Sequence, residues 1–142
     1  MFFIFLGVKI LIVIILNKTI VHFEIPADDV EKLKSFYEEL LGWKFIHTSM
    51  PGMEYWMIHT VPTDENGMIQ APGINGGMYK KENPMQKPLN YISVEDVDSH
   101  LKKLVSLGGT VVAETMKIEG VGLIAIGLDP EGNFVALLQP EM

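Results

Sequence analysis

Residues 20–25 (IVHFEI) alternate with a period of two, with Val21, Phe23 and Ile25 on one side and Ile20, His22 and Glu24 on the other. Such alternation predicts a strand with one apolar and one mixed face. Pro26 is expected to end it, and Asp28 or Asp29 to cap a helix. In that helix Val30, Leu33, Phe36, Tyr37, Leu40 and Leu41 recur at helical spacing until Gly42 supplies a stop. Residues 43–48 and 54–61 are β-rich runs on either side of Met50, Pro51 and Gly52, and they read as a hairpin. Residues 62–72 predict a loop, residues 73–79 (GINGGMY) a strand weakened by its glycines, and residues 80–87 a polar, prolyl linker.

The same order then returns. Residues 90–94 (NYISV) predict a strand, and residues 95–107 a helix with Val97, Leu101, Leu104 and Val105 on one face, ended by Gly108 and Gly109. Residues 110–118 and 123–128 predict two more strands, joined through the turn Asp129 to Asn133 to a last strand over residues 134–139. A strand, an Asp-Val helix start, a leucine-bearing helix, a glycine stop and three strands thus occur twice, which implies internal duplication.

The expected fold class is therefore α+β, with two βαβββ modules at about residues 18–80 and 88–142. One helix covers one face of each module's sheet, and the other face waits for the second module. Val21, Phe23, Ile25, Ile92, Val94, Val135 and Leu137 are assigned to the helix side. The mixed positions His22, Glu24, Tyr91, Ser93, Phe134, Ala136 and Leu138 are expected to line a shared cleft on a concave mixed sheet.

Composition narrows the partners. Eighteen acidic against eleven basic residues give a formal charge of −7, which opposes phosphate backbones and anionic membrane surfaces, so nucleic acid is excluded as a partner. The chain has no cysteine, which removes disulfides, thiolate metal sites and thiol nucleophiles. Residues 1–17 are an apolar leader broken by Gly7 and Lys9. It is shorter than the roughly 20 residues a membrane helix needs, and it lacks the basic start and small-residue cleavage site of a signal peptide. The preferred reading is that the patterned protein begins near Asn17, with membrane association only if the leader is real, and a cytoplasmic location.

The stretches VHFEIPADD, FYEELLGW, NYISVEDVD, LGG and DPEGNFVALLQ, in that order and spacing, resemble the vicinal oxygen chelate superfamily of glyoxalases, bleomycin-resistance proteins and extradiol dioxygenases. INGGMYK is similar to a poorly characterised glyoxalase-related subgroup. The resemblance implies paired βαβββ modules, a metal or substrate site on the concave sheet, and frequent dimerisation, here expected as a homodimer, or module exchange; in the metal-dependent members a divalent metal is held by His, Gln or Glu from the first and last strand of each module. Carried over by position, it matches His22 as the first-strand ligand. The other positions fall near Leu89 or Asn90, at Gly76 or Gly77, and at Ala136, none of which is a usual ligand.

His22 and Glu24 are the candidate catalytic residues, with His22 also the one surviving candidate metal ligand. A hydrogen-bonded histidine on a half-buried strand is the preferred reading of His22, and a solvated rim carboxylate competes with a base for Glu24. Tyr55, Met57, Tyr91, Ser93 and Phe134 are the candidate ligand-binding residues, although ordinary core packing is favoured for Met57 and Phe134. His47 and His59 are expected to approach each other without a carboxylate at matching spacing, and His100 to be solvated. Gly76 and Gly77 are rejected as a phosphate loop because no helix start follows. Three functions compete. The first is a protein binding a small organic molecule in the former metal cleft; the others are a divergent metal-dependent lyase, isomerase or dioxygenase, and a membrane-anchored interaction module.

Overall fold

The structure is a computed structural model that describes residues 17–50 and 53–141. The apolar leader, apart from Asn17, and the Pro51-Gly52 turn lie outside the described residues. Eight strands and two helices run through these residues in the order β1 (Ile20–Ala27), α1 (Val30–Leu41), β2 (Lys44–Met50), β3 (Met53–His59), β4 (Gly76–Lys80), β5 (Leu89–Ser93), α2 (Val97–Ser106), β6 (Thr110–Ile118), β7 (Gly122–Leu128) and β8 (Phe134–Pro140). The α+β class and the doubled βαβββ order read from the sequence are both present. None of the helices among the described residues is long and apolar enough to cross a membrane.

The chain divides into two compact units, one of residues 22–88 and one of residues 89–141 with residues 17–21. In the first, β1 pairs parallel with β4, β4 antiparallel with β3, and β3 antiparallel with β2. Phe23, Ile25 and Ala27 face α1 and pack with Phe45, Ile58 and Met78 against Val30, Leu33 and Tyr37, so the apolar side of IVHFEI lies where its alternation put it. In the second unit β5 pairs parallel with β8, and β8, β7 and β6 follow antiparallel. Val94, Val97, Leu101, Ala125 and Leu137 form its core, with Ile92 and Val135 against them. Two register shifts interrupt the β6–β7 ladder, between Val111 and Ala113 and between Ala113 and Met116.

Both helices start on the expected aspartates. Asp29 accepts the Lys32 amide and Asp96 the Ser99 amide, each at 3.1 Å, which satisfies a donor the first helical turn leaves open. Gly42 closes α1 at φ 71°, a left-handed conformation that favours glycine. The end of α2 is tied back by the Gly109 amide on the Leu104 carbonyl at 2.9 Å.

Three local expectations need correction. Pro26 does not end β1: it stands opposite Tyr79 in the parallel ladder, and the strand runs on to Ala27, because the fixed φ of proline is compatible with extended backbone and only its donor is lost. The fourth strand is shorter than residues 73–79, since Gly73 sits at φ 158° over Val61 and Asn75 is spent tying Thr60 and Thr63 together. Finally, α2 begins at Val97 rather than at residue 95, because Asp96 serves as its cap.

Replacing Asp96 by alanine is expected to cost about 1 kcal/mol of stability through the lost cap. Urea unfolding of wild type and variant measures it, and an unchanged midpoint would contradict the cap assignment.

Candidate functional site

On the face of the first sheet that α1 does not cover, registers place Glu24 beside Gly77, Gly77 opposite Met57, and Tyr55 opposite Tyr79. Period-two alternation adds His22 to this face. His22 and Tyr55 are almost fully buried, at 2% and 1% exposure. The phenol of Tyr55 donates to Glu24 Oε2 at 2.9 Å. With its hydrogen committed there, Tyr55 Oη accepts from His22 Nε2, also at 2.9 Å. The result is a directed chain, imidazole N–H to phenol oxygen and phenol O–H to carboxylate, ending at the half-buried Glu24.

Gly77 makes this chain possible. A Cβ built there would fall inside the Tyr55 ring and hydroxyl, so the tyrosine occupies the space that any side chain at Gly77 would need. Gly76, one residue earlier, faces the opposite side, where a Cβ would strike Phe23. The glycine pair of INGGMY is thus two close-approach positions on opposite faces of one strand.

Burial holds the His22 imidazole far below its usual range, at a pKa of about 3. It is therefore neutral at physiological pH, and donation to the phenol oxygen places its one ring proton on Nε2. Tyr79, at the other end of the face, has its phenol pushed up by burial and by the charge of Glu24. His59 is pushed down by burial and by Lys44, its partner across the hairpin. Tyr79 was not singled out from the sequence, although alternation from Gly77 along β4 is the signal that marks it.

The remaining candidates fall as follows. Met57 is buried on the same face as Glu24. Tyr91, Ser93 and Phe134 lie on the helix-free face of the second sheet, where the β5–β8 and β7–β8 registers align them with Ala136, Leu138 and Leu128. Tyr91 and Ser93 are buried and Phe134 is half-buried. His47 and His59 do not approach each other. The β2–β3 register sets His47 against Trp56 and His59 against Lys44, which puts the two imidazoles on opposite faces of the hairpin. His47 instead bonds Glu54 at 2.8 Å, a carboxylate the spacing argument did not find. His100 is not simply solvated: its Nδ1–H donates to the Asp96 carbonyl at 2.9 Å and its ring lines a cleft.

A divalent cation needs three or four donor side chains converging on one point. No group of three or more His, Asp or Glu side chains stands together among the described residues. Of the positions the family resemblance points to, His22 has its Nε2 on Tyr55, Gly77 has a phenol in its side-chain space, and Ala136 has no donor.

An eight-stranded mixed set of strands in twice-repeated βαβββ order, with one helix to each repeat, defines the class of protein. The sequence profile of the Glyoxalase/Bleomycin resistance protein/Dioxygenase superfamily matches residues 19–137, and the chain belongs to that superfamily. CFP32 of Mycobacterium bovis, which carries the glyoxylase name, is 27% identical over 127 residues, covering 86% of this chain and 44% of that protein. A glyoxylase-like domain-containing protein of Didymella fabae is 29% identical over 129 residues, covering 87% of this chain and 94% of that one. Methylmalonyl-CoA epimerase of Mycobacterium tuberculosis shares the fold, with a TM-score of 0.63 at 15% identity over 89% of this chain and 91% of the epimerase. This chain spans less than half the length of the mycobacterial relatives it matches.

Gly77→Ala is expected to destabilise by about 1–3 kcal/mol, because the new methyl displaces a buried Tyr55 ring whose hydroxyl is bonded to His22 and Glu24. In a Tyr55→Ala background the same change is expected to cost much less, and a double-mutant unfolding cycle measures the difference. A second expectation concerns acid. The unfolded chain takes up the His22 proton near pH 6.5 and the folded chain only near 3, so unfolding binds a proton throughout that window. The His22 contribution to stability is therefore complete above pH 6.5 and is lost on acidification at about 1.4 kcal/mol per pH unit. Urea midpoints against pH should fall more steeply for wild type than for His22→Gln, and the His22 ring signals should not titrate between pH 8 and 5. A normal imidazole titration would remove this account of the site.

Proposed function

We propose that this protein binds a small organic molecule on the helix-free face of its first sheet, with the Glu24 carboxylate as polar anchor and no divalent metal. The observation that carries the reading is the Tyr55 phenol lodged over Gly77 and bonded to both His22 and Glu24. It fills the space of one expected ligand and engages another. His22 is then a positioning residue, fixing the phenol so that its proton points at Glu24, and Tyr55 acts through the carboxylate it holds. Tyr79 and Met57 supply an aromatic and an apolar wall beside Glu24. If the bound molecule is turned over, Glu24 is the group to accept its proton and Tyr55 the donor that stabilises the carboxylate. Tyr91, Ser93 and Phe134 hold the corresponding face of the second half and keep their assignment as ligand-binding residues. The same reading takes the protein as a cytoplasmic homodimer.

Elemental analysis with native mass spectrometry of gently purified protein tests this. The expected result is metal well below one ion per chain, and no increase in melting temperature on adding Zn²⁺, Mn²⁺, Ni²⁺ or Mg²⁺. An NMR fragment screen is expected to give hits that perturb Glu24, Met57 and Tyr79 and weaken in Glu24→Gln. One tightly held cation per chain that is lost in His22→Ala would replace this reading with a metal-dependent lyase, isomerase or dioxygenase.

A further inference from the structure

The second unit carries a cleft of about 440 Å³ on the helix side of its sheet, the opposite face from Tyr91, Ser93 and Phe134. Its floor is Ile92 and Val94 from β5 with Val135 and Leu137 from β8. Its wall is one stripe of α2, His100, Lys103 and Leu104, at the spacing that puts side chains on a single helical face, continued by Leu107 at the helix end. Gly109, Asp129 and Pro130 also line it. The volume lies in the range of sites for small molecules, and the walls are chiefly apolar with a few polar groups at the margin, the composition such sites share.

The charges are not those of the surface at large. On a chain of formal charge −7, the cleft is lined by two lysines, Lys18 and Lys103, against the single carboxylate of Asp129. Asp129 is committed to its own turn: Oδ1 accepts the amides of Glu131 and Asn133 at 2.9 Å each, and Oδ2 accepts the Asn133 side chain at 3.0 Å. The exposed carbonyls at the end of α2 are likewise engaged, Leu104 by Gly109 and Val105 by Gly108. Lys18 is held at this place by its backbone. It has φ 65°, the one non-glycine residue with positive φ among the described residues, and its amide donates to the Ser93 carbonyl at 2.6 Å while the Ser93 amide returns a bond to Thr19 at 3.0 Å. A lysine in the left-handed region costs conformational energy that the adjoining bonds must offset.

We infer that this cleft is a second binding site, for a monoanion with an apolar body, a medium-chain carboxylate. The carboxylate pairs with Lys18 and Lys103, and the chain lies on Ile92, Val94, Val135 and Leu137 beside Leu104 and Leu107. An excess of one positive charge selects a monoanion, and the apolar floor selects against small hydrophilic acids. The site is independent of the Glu24 face, and neither stands on the other.

The test uses the full chain with methyl-labelled valine and leucine, and two probes of equal length, octanoate and octanol. Octanoate is expected to shift the methyls of Val94, Leu104, Leu107 and Val135 saturably, with octanol about tenfold weaker. Lys18→Ala and Lys103→Ala are each expected to weaken octanoate about fivefold and to leave octanol unchanged. Both residues are exposed, and unchanged methyls of Val111 and Leu123, which pack on the core of the same unit away from the cleft, report that the variants fold. Equal affinity for octanol and octanoate would overturn the inference, as would the absence of saturation. So would octanoate binding only after removal of residues 1–16, which would make the cleft the seat of the chain's own amino-terminal segment.

Discussion

A missing side chain governs the polar face of the first sheet. Because Gly77 has no Cβ, the ring of Tyr55 lies flat across β4 and its hydroxyl stands between two residues of β1. Every other property of the face depends on that placement. The phenol sets the tautomer of His22, orients the proton toward Glu24, and occupies volume that an ionic ligand set would have needed. Burial of a neutral imidazole is tolerable only when its donor is matched, and the phenol oxygen matches it.

The arrangement also separates two demands that often conflict. His22 and Tyr55 are buried, with fixed partners, and serve rigidity. Glu24, at the end of the chain, is half-buried and holds the charge. A buried network with its members paired confers order in proportion to what it would lose if one were removed. The charge of Glu24 reaches Tyr79 as well, whose phenol is raised in consequence.

Much of this was legible in the residues themselves. The alternation in IVHFEI separated Phe23 and Ile25 from His22 and Glu24 correctly, the aspartate caps and the Gly42 stop bounded the helices, and the doubled order gave the architecture. Strand pairing was not legible. Whether His47 meets His59 is a question of hairpin register, and that register places them on opposite faces. Tyr55 was marked as a site residue for its polar end, but its bond to His22 joins residues 33 apart, which no local pattern encodes. Pro26 is no strand end because proline loses only a donor while its fixed φ fits extended backbone.

The irregular ladder of β6 bears on what that edge of the protein could pair with. β6 is the outermost strand of its sheet, and its two register shifts break the even spacing of amides and carbonyls that an incoming strand would have to match. That margin is a poor template for amyloid-like growth or for strand-to-strand docking, so any assembly of subunits is left to side-chain surfaces rather than to a continued backbone ladder along that border.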